Sequence, residues 1–260
     1  MRTMKITIIS MWYNEAMIAP YFLGHYSFAD KILIGLEATS SDSTLALLEK
    51  TKNVEIEELR FPDGIDDDLK IGAFNGMIAN QDCDWVYAVD SDEFLFPQRR
   101  MDHRLVLSNQ GDANLVWADM WNVHRHLSDS DLDPAMPAAS QRRHGAAQIH
   151  HGKPVICRPN AGLVLGPGQH TYAANPGIIV SPDRFHGVHW QMVDAEMSID
   201  RLIRGRRDRM SQHNIEKGYG SHNFACTEEQ IRKECVEHLE DPLLFGQYME
   251  LLFPYSRDIA

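Results

Sequence analysis

The sequence is poor in cysteine, has no long apolar run and carries no excess of positive charge. Its four cysteines, Cys83, Cys157, Cys226 and Cys235, form no Cys-x-x-Cys pair. This excludes a zinc ribbon and a disulfide-stapled scaffold, and reads as the reduced thiols of a cytoplasmic protein. No stretch of about 18 apolar residues exists, so no membrane-spanning helix is expected, although peripheral contact with a membrane surface is left open. The opening Met1–Ser10 has only a short apolar core and soon meets Asn14 and Glu15, which suits a buried strand and not a secretory signal. With 37 acidic and 25 basic residues the formal charge is −12, which argues against nucleic acid as the partner. There is no internal repeat and no low-complexity tail. What remains is an ordinary globular composition, 43% hydrophobic over 260 residues, enough for one large core.

The first 95 or so residues alternate strand-like and helix-like patterns. Lys5–Ser10, Lys31–Leu36, Val54–Leu59 and Asp84–Val89 read as strands, the third nearest an edge because it alternates apolar and acidic residues. Between them lie helical segments. The first is capped by Asn14, with Pro20 forcing a break or a late start. The second is opened by Asp42 or Ser43, with Leu45, Leu47 and Leu48 inside. The third begins at Asp66–Asp68, with Leu69, Ile71, Phe74, Met77 and Ile78 mostly inward. A β-α-β-α-β-α-β series with right-handed crossovers gives an α/β fold with a mostly parallel, Rossmann-like sheet. Ligands of such sheets bind at the carboxyl ends of the strands, where this chain places its polar clusters.

After Arg100 the character changes, and twelve of the 13 histidines lie there. Asn114–Val123 reads as a strand and His124–His151 as a long loop or lid, its His124, His126, His150 and His151 being solvated. Lys153–Arg158, Gly162–Leu165, Gly177–Val180 and Arg184–Trp190 read as short strands. Asp194–Met210 reads as helix, Thr227 as the cap of another, and Asp241-Pro242 as the start of a last one, with Leu243–Phe253 docking on the core or on a partner. The organisation expected is 1–100 as an α/β half, 101–210 as a second half and lid completing the same domain, and 211–260 as a helical segment.

The strongest local signal is Asp90-Ser91-Asp92-Glu93 at the end of the apolar run Trp85–Val89. Two carboxylates so close oppose each other's ionisation unless a cation sits between them, and Mg²⁺ or Mn²⁺ would supply it while leaving positions open for phosphate oxygens. The hydroxyl-rich turn Thr39–Thr44 is a second candidate for phosphate contact, with ordinary capping as its plain alternative. In His186-x-x-His189 a strand would turn the two rings to opposite faces, so one at most, His189, faces a site. Lys153 and Arg158 could clamp a diphosphate. The run Arg201, Arg204, Arg206, Arg207 and Arg209 reads first as a solvated face, and second as a contact for an anionic acceptor or lipid headgroup.

In order and spacing these pieces resemble a family 2-type glycosyltransferase of the GT-A fold. The matching residues are Ile8–Glu15, Ser40-x-Asp42-x-Thr44, Lys70 and Asn75, and Asp90–Glu93. Lys153–Pro159, Gly168-Gln169-His170 and His186–Trp190 are similar to a subgroup of that family with Asp-x-Asp-Glu. The resemblance implies a metal-dependent transfer of sugar from a nucleotide-diphosphate sugar, UDP favoured, to an acceptor hydroxyl on a glycan or lipid-linked acceptor, in surface or secreted glycan biosynthesis. It implies Asn14, Glu15, Glu37, Asp42, Lys70, Asn75, Asp90, Lys153 and Arg158 at the donor, Asp90, Asp92, His170 and His189 on the metal, and Glu93 as the base, with Asp194 and Glu196 as alternatives. The family's usual aspartate pair before Ser-x-Asp-x-Thr is Glu37-Ala38 here, which leaves the donor base open. Other readings are an inactive nucleotide-sugar-binding domain and an Mg²⁺-dependent phosphohydrolase with Asp90 as nucleophile.

Overall fold

A computed structural model describes residues 4–97, 102–125, 129–142, 144–147, 152–173, 175–220 and 226–240. Four strands, β1 (Ile6–Trp12), β2 (Lys31–Glu37), β3 (Val54–Leu59) and β4 (Trp85–Ala88), pair in parallel in the order β3-β2-β1-β4. All seven residues of β1 are buried because both faces of the sheet are covered. Its side chains alternate: Ile6, Ile8 and Trp12 join one core, Ile9 and Met11 the other, and β4 divides likewise into Trp85 and Tyr87 against Val86 and Ala88.

The first core is covered by α1 (Ala19–His25) and α2 (Thr44–Leu48), through Phe22 and Leu48 among others. The second is covered by α3 (Asp67–Ala79), through Phe74, Met77 and Ile78. Pro20 sits in the first turn of α1, where a missing N–H costs nothing, so the helix starts late. Asp66 caps α3, accepting the amide hydrogens of Asp68 and Leu69. Leu45 and Leu69 turn out to be exposed, at 46% and 55%, since each helix covers its sheet with other positions.

Beyond β4 the same sheet continues, in the order β4-β8-β6-β9-β5. These strands are β5 (Glu93–Pro97), β6 (Leu115–His124), β8 (Lys153–Cys157) and β9 (Val180–Met192), and β7 (His144–Ala147) pairs on the side with β6. β4 meets β8 antiparallel, whereas β6 meets β9 parallel, so this half is mixed. The sheet is therefore continuous across position 100.

Three expectations are corrected here. The loop expected from His124 contains a strand, β7, and His124 itself is the last residue of β6; His126, His150 and His151 lie outside the described residues. Gly162–Leu165 is not a strand, because Gly162 takes a left-handed φ of 67° after the short 3₁₀ turn Pro159–Ala161. Gly177–Val180 and Arg184–Trp190 do not form two strands; β9 runs unbroken from Val180 and absorbs Ser181-Pro182-Asp183 at an irregularity in its pairing with β6.

The chain then forms α4 (His103–Ser108), α5 (Ala138–Gln141) and α6 (Ala195–Ile199), followed by a π-helical stretch, Asp200–Arg206, and a 3₁₀ turn, Arg207–Arg209. α7 (Gln212–Lys217) and α8 (Glu228–Glu240) end the described chain. Thr227 and Gln230 cap α8 reciprocally. Among the described residues no helix is long and apolar enough to cross a membrane. The expected helices from Asp241 onward, Leu243–Phe253 included, lie outside the described residues.

Candidate functional site

The carboxyl ends of β1, β2 and β4 open into a cleft of about 620 Å³, lined also by residues of β6, β8, β9 and the segment 201–209. Its volume is in the range of sites that hold a small organic ligand. Six carboxylates (Glu15, Glu37, Asp67, Asp90, Asp92, Glu93) and five Lys or Arg side chains (Lys70, Lys153, Arg201, Arg206, Arg209) line it, with His170 and His189.

Asp90 follows β4, its carboxylate 3.3 Å from Lys70 Nζ on one oxygen and 3.4 Å from Lys153 Nζ on the other. Burial pushes the Asp90 carboxyl up, but Lys70 and Lys153 outweigh it and hold it below the usual carboxylate range. Gln169 Nε2 donates to the same carboxylate at 3.3 Å.

Asp92 is held differently. One of its oxygens accepts Arg201 Nη1 at 2.7 Å and lies 2.9 Å from His189 Nε2. Burial would raise its pKa, yet Arg201 and then His189 keep it well below the ordinary value. His189 stands between Glu93 and Asn122 in the sheet register, and its Nδ1 lies 3.0 Å from Asn122 Oδ1. Burial lowers the imidazole pKa, but Asp92 raises it more, so His189 is protonated more readily than a free histidine.

Arg201 ties two loops together. Its Nε donates to Glu15 at 2.9 Å and its Nη2 to Ser91 Oγ at 3.0 Å, while Ser91 Oγ donates to the other Glu15 oxygen at 2.8 Å. Burial raises the Glu15 pKa, and Arg201 offsets only part of that. The π-helical stretch matters here, because its i to i+5 hydrogen bond from Arg207 N to Leu202 O brings residues five apart toward one side. Arg201 and Arg206, five apart, both line the cleft.

At the far end, Arg209 stacks on the Tyr13 ring at 3.3 Å from its centroid, and its Nη2 donates to Glu37 at 2.5 Å. Gly64 permits this. It has φ of 92°, and a Cβ there would lie 2.2 Å from the Arg209 carbonyl, so only glycine lets 207–211 dock against Ile65.

The residues expected at the donor thus divide. Glu15, Glu37, Lys70, Asp90 and Lys153 come together in the cleft. Asn14 does not cap a helix; with φ of 51° it accepts the Ser41 N–H at 2.7 Å and fixes the loop. Asp42 accepts the amide hydrogens of Ala16 and Thr44 and does the same. Asn75 is consumed by the Leu165 backbone, donating to its carbonyl and accepting its N–H. Arg158 faces away, donating to the Ala113 carbonyl at 3.1 Å and lying 4.6 Å from the Trp85 ring centroid. Replacing it, as Arg158→Met, is expected to cost about 1–2 kcal/mol of stability in urea unfolding.

Glu93 is not placed as a base. It is 1% exposed, its Oε1 lies 2.5 Å from Lys153 Nζ, and its Oε2 accepts the Asp90 N–H. Its alternatives are also occupied elsewhere: Asp194 caps α6 through the Met197 N–H, and Glu196 is paired with Arg232. Nor does the expected metal set assemble. Asp92 and His189 are bound to each other and to Arg201 and Asn122, and Asp90 lies between two lysines. Among the described residues no three His, Cys, Asp or Glu side chains form a group that could hold a metal ion; ammonium and guanidinium groups stand against Asp90 and Asp92.

Sequence reasoning does not single out Ser91 by itself or Asn122. Of the two readings of the arginine run, the solvated face fits Arg204, paired with Asp200, whereas Arg201, Arg206 and Arg209 line the cleft and Arg207 bonds the Cys226 carbonyl.

No family profile matches the chain, and no curated protein matches it in sequence. Solved structures with a similar chain trace include TarS of S. aureus, residues 1–349, at 14% identity and a TM-score of 0.42, covering 98% of this chain and 87% of that one. The same TarS fragment in complex with UDP aligns at 13% identity and a TM-score of 0.40. A 4-diphosphocytidyl-2C-methyl-D-erythritol synthase aligns at 8% identity and a TM-score of 0.34, over 62% of this chain and 78% of that one.

Proposed function

We propose that the chain is a transferase that binds a nucleotide-diphosphate sugar in this cleft and passes the sugar to an acceptor hydroxyl. The observation that carries this reading is the cleft itself. It joins an aromatic and acidic end, Tyr13 and Glu37, to a cation-rich centre around Asp90, all at the carboxyl ends of parallel strands. A nucleoside matches the first part in chemistry, its base stacking on the aromatic side and its N–H or O–H groups donating to the carboxylate. A diphosphate matches the second.

In this reading Lys70 and Arg206 are the mobile cations. Their side chains are 28% and 39% exposed, against 7% for Lys153 and 15% for Arg201. They turn from Asp90 and Asp67 to the phosphate oxygens, and their fixed positive charge stabilises the nucleoside diphosphate as it departs. Lys153 and Arg201, the more buried pair, keep the loops of β1 and β4 in register. The transfer breaks the bond between the anomeric carbon and the diphosphate oxygen and forms one to the acceptor oxygen, whose proton is released to a base on the acceptor side.

Calorimetric titration with UDP, GDP, CDP and dTDP, in EDTA and again in Mn²⁺, tests the reading. One base series is expected to bind in EDTA, and Lys70→Met to weaken it about 10-fold, the value of one charge-assisted contact. Absence of binding to any of the four in either buffer would overturn the reading. Binding that requires Mn²⁺ would transfer the diphosphate from the lysines to a metal. Slow release of nucleoside diphosphate from the matching donor separates an enzyme from a binding domain, and phosphate release from simple phosphomonoesters would favour a hydrolase.

A further inference from the structure

Beside Asp90 the main cleft opens into a small cavity of about 40 Å³, bordered by Asp67, Lys70, Phe74, Asp90, Gln169 and Arg206. It exceeds the roughly 10–15 Å³ that a single water requires. Gln169 is 2% exposed, yet its Oε1 has no hydrogen-bond donor within the protein, while its Nε2 is committed to Asp90. A buried amide oxygen left this way is costly, and it calls for a donor from a ligand or solvent. The backbone also departs from the usual at this point: Gly168 and Gln169 both have positive φ, 70° and 60°, and for a glutamine that conformation is unfavourable. The turn keeps the amide against Asp90 in spite of this.

The charges around the cavity say what class of group it takes. Two carboxylates face two cations, and the fifth polar group is a neutral amide. An anion entering would meet Asp67 and Asp90; a cation would meet Lys70 and Arg206. Neighbouring hydroxyls suit this mixture, because each can donate to Asp67, Asp90 or Gln169 Oε1 and still accept from a cation that remains beside it. We propose that this cavity reads adjacent hydroxyls of the transferred sugar, with Gln169 Oε1 accepting from one of them. The inference rests on the proposed donor site, whose centre the cavity adjoins. Gln169 is then a specificity-determining residue, distinct from the cations that hold the diphosphate.

The test compares, in the base series that binds, the nucleoside diphosphate, its hexose donor and the donor's monodeoxy analogues, on the wild type and on Gln169→Met. Each affinity is taken relative to the nucleoside diphosphate on the same variant, so general damage to the site cancels. The wild type is expected to bind the hexose donor more tightly than one of the deoxy analogues by about 3–10-fold, the range for one hydrogen bond to a buried acceptor. In Gln169→Met that preference should vanish. Gln169→Glu, which keeps an acceptor oxygen, should retain part of it. A preference that survives in Gln169→Met, or a wild type that does not distinguish the analogues, overturns the inference while nucleoside diphosphate binding leaves the donor site standing. Loss of all nucleoside diphosphate binding to the wild type would instead remove the donor site, and this inference with it.

Discussion

Lys153→Met is expected to lower the unfolding free energy by about 3–5 kcal/mol, the cost of leaving a buried charge without its partner. Lys153 Nζ lies 2.5 Å from Glu93 Oε1, and the two side chains are 7% and 1% exposed. Burial alone would lower the ammonium pKa, but Glu93 and then Asp90 raise it above the normal lysine range, so the charge is present at every pH at which the fold exists. For a chain of this size the loss corresponds to a drop in midpoint of about 2–4 °C per kcal/mol. The partner variant distinguishes this from a packing effect. Adding Glu93→Gln to Lys153→Met should restore about 0.5–3 kcal/mol, the usual size of coupling between contacting charges. Thermal and urea unfolding of the wild type, both single variants and the double variant measure it. A double variant no more stable than Lys153→Met would show that the pair is not the source.

The second large effect is loss of stability in mild acid. His25 Nε2 lies 3.0 Å from the Leu95 carbonyl among Tyr26, Phe94 and Phe96, and His103 stacks on Phe28 with Nδ1 2.9 Å from Tyr87 Oη. Burial lowers the imidazole of His25 to about 4. Burial, then the neighbouring His25, lowers that of His103 to about 3, with Asp102 opposing and Arg104 adding to the shift. Both are depressed below the free value, so the neutral rings stabilise the fold above about pH 6.5, and that contribution is lost as pH falls toward 4. Each should account for about 2 kcal/mol between pH 7 and pH 5 by linkage. His189 acts in the opposite sense, since its pKa is raised: its contribution is present in acid and is lost as pH rises through its folded value. Urea midpoints at pH 7 and pH 5 should therefore differ less in His103→Phe than in the wild type. An unchanged difference would mean that His103 does not titrate in this way.

The parallel half of the fold could be read from the sequence because β1, β2 and β4 are almost wholly buried apolar runs, β3 alternates as an edge strand does, and α3 starts at a capping aspartate. Lys31–Leu36 and Asp84–Val89 are within a residue or two of β2 and β4. The mixed half was harder, since its strands are set by partners far along the chain. Nothing local says that Ser181-Pro182-Asp183 continues a strand, or that a glycine at 162 turns left-handed. In the site, Asp90 was legible because strand ends gather polar residues, and Lys70, inside α3, only through the family resemblance. Arg201, Arg206 and Arg209 were not: whether an arginine faces in or out there depends on an i to i+5 hydrogen bond and on Gly64 admitting a distant backbone. Asn14, Asn75 and Arg158 misled for a related reason. They match the resemblance by type, but main-chain groups distant in sequence take up their hydrogen bonds.

One consequence concerns the order in which the polypeptide is synthesised. Asp92 leaves the ribosome more than a hundred residues before Arg201, the arginine that pairs with it. At ordinary elongation rates the gap is on the order of ten seconds. Through that interval Glu15 and Asp92 wait for the guanidinium of Arg201, and until β9 has been made β5 lacks its neighbour. The cleft therefore takes its final balance of charge only after Arg201 has been made.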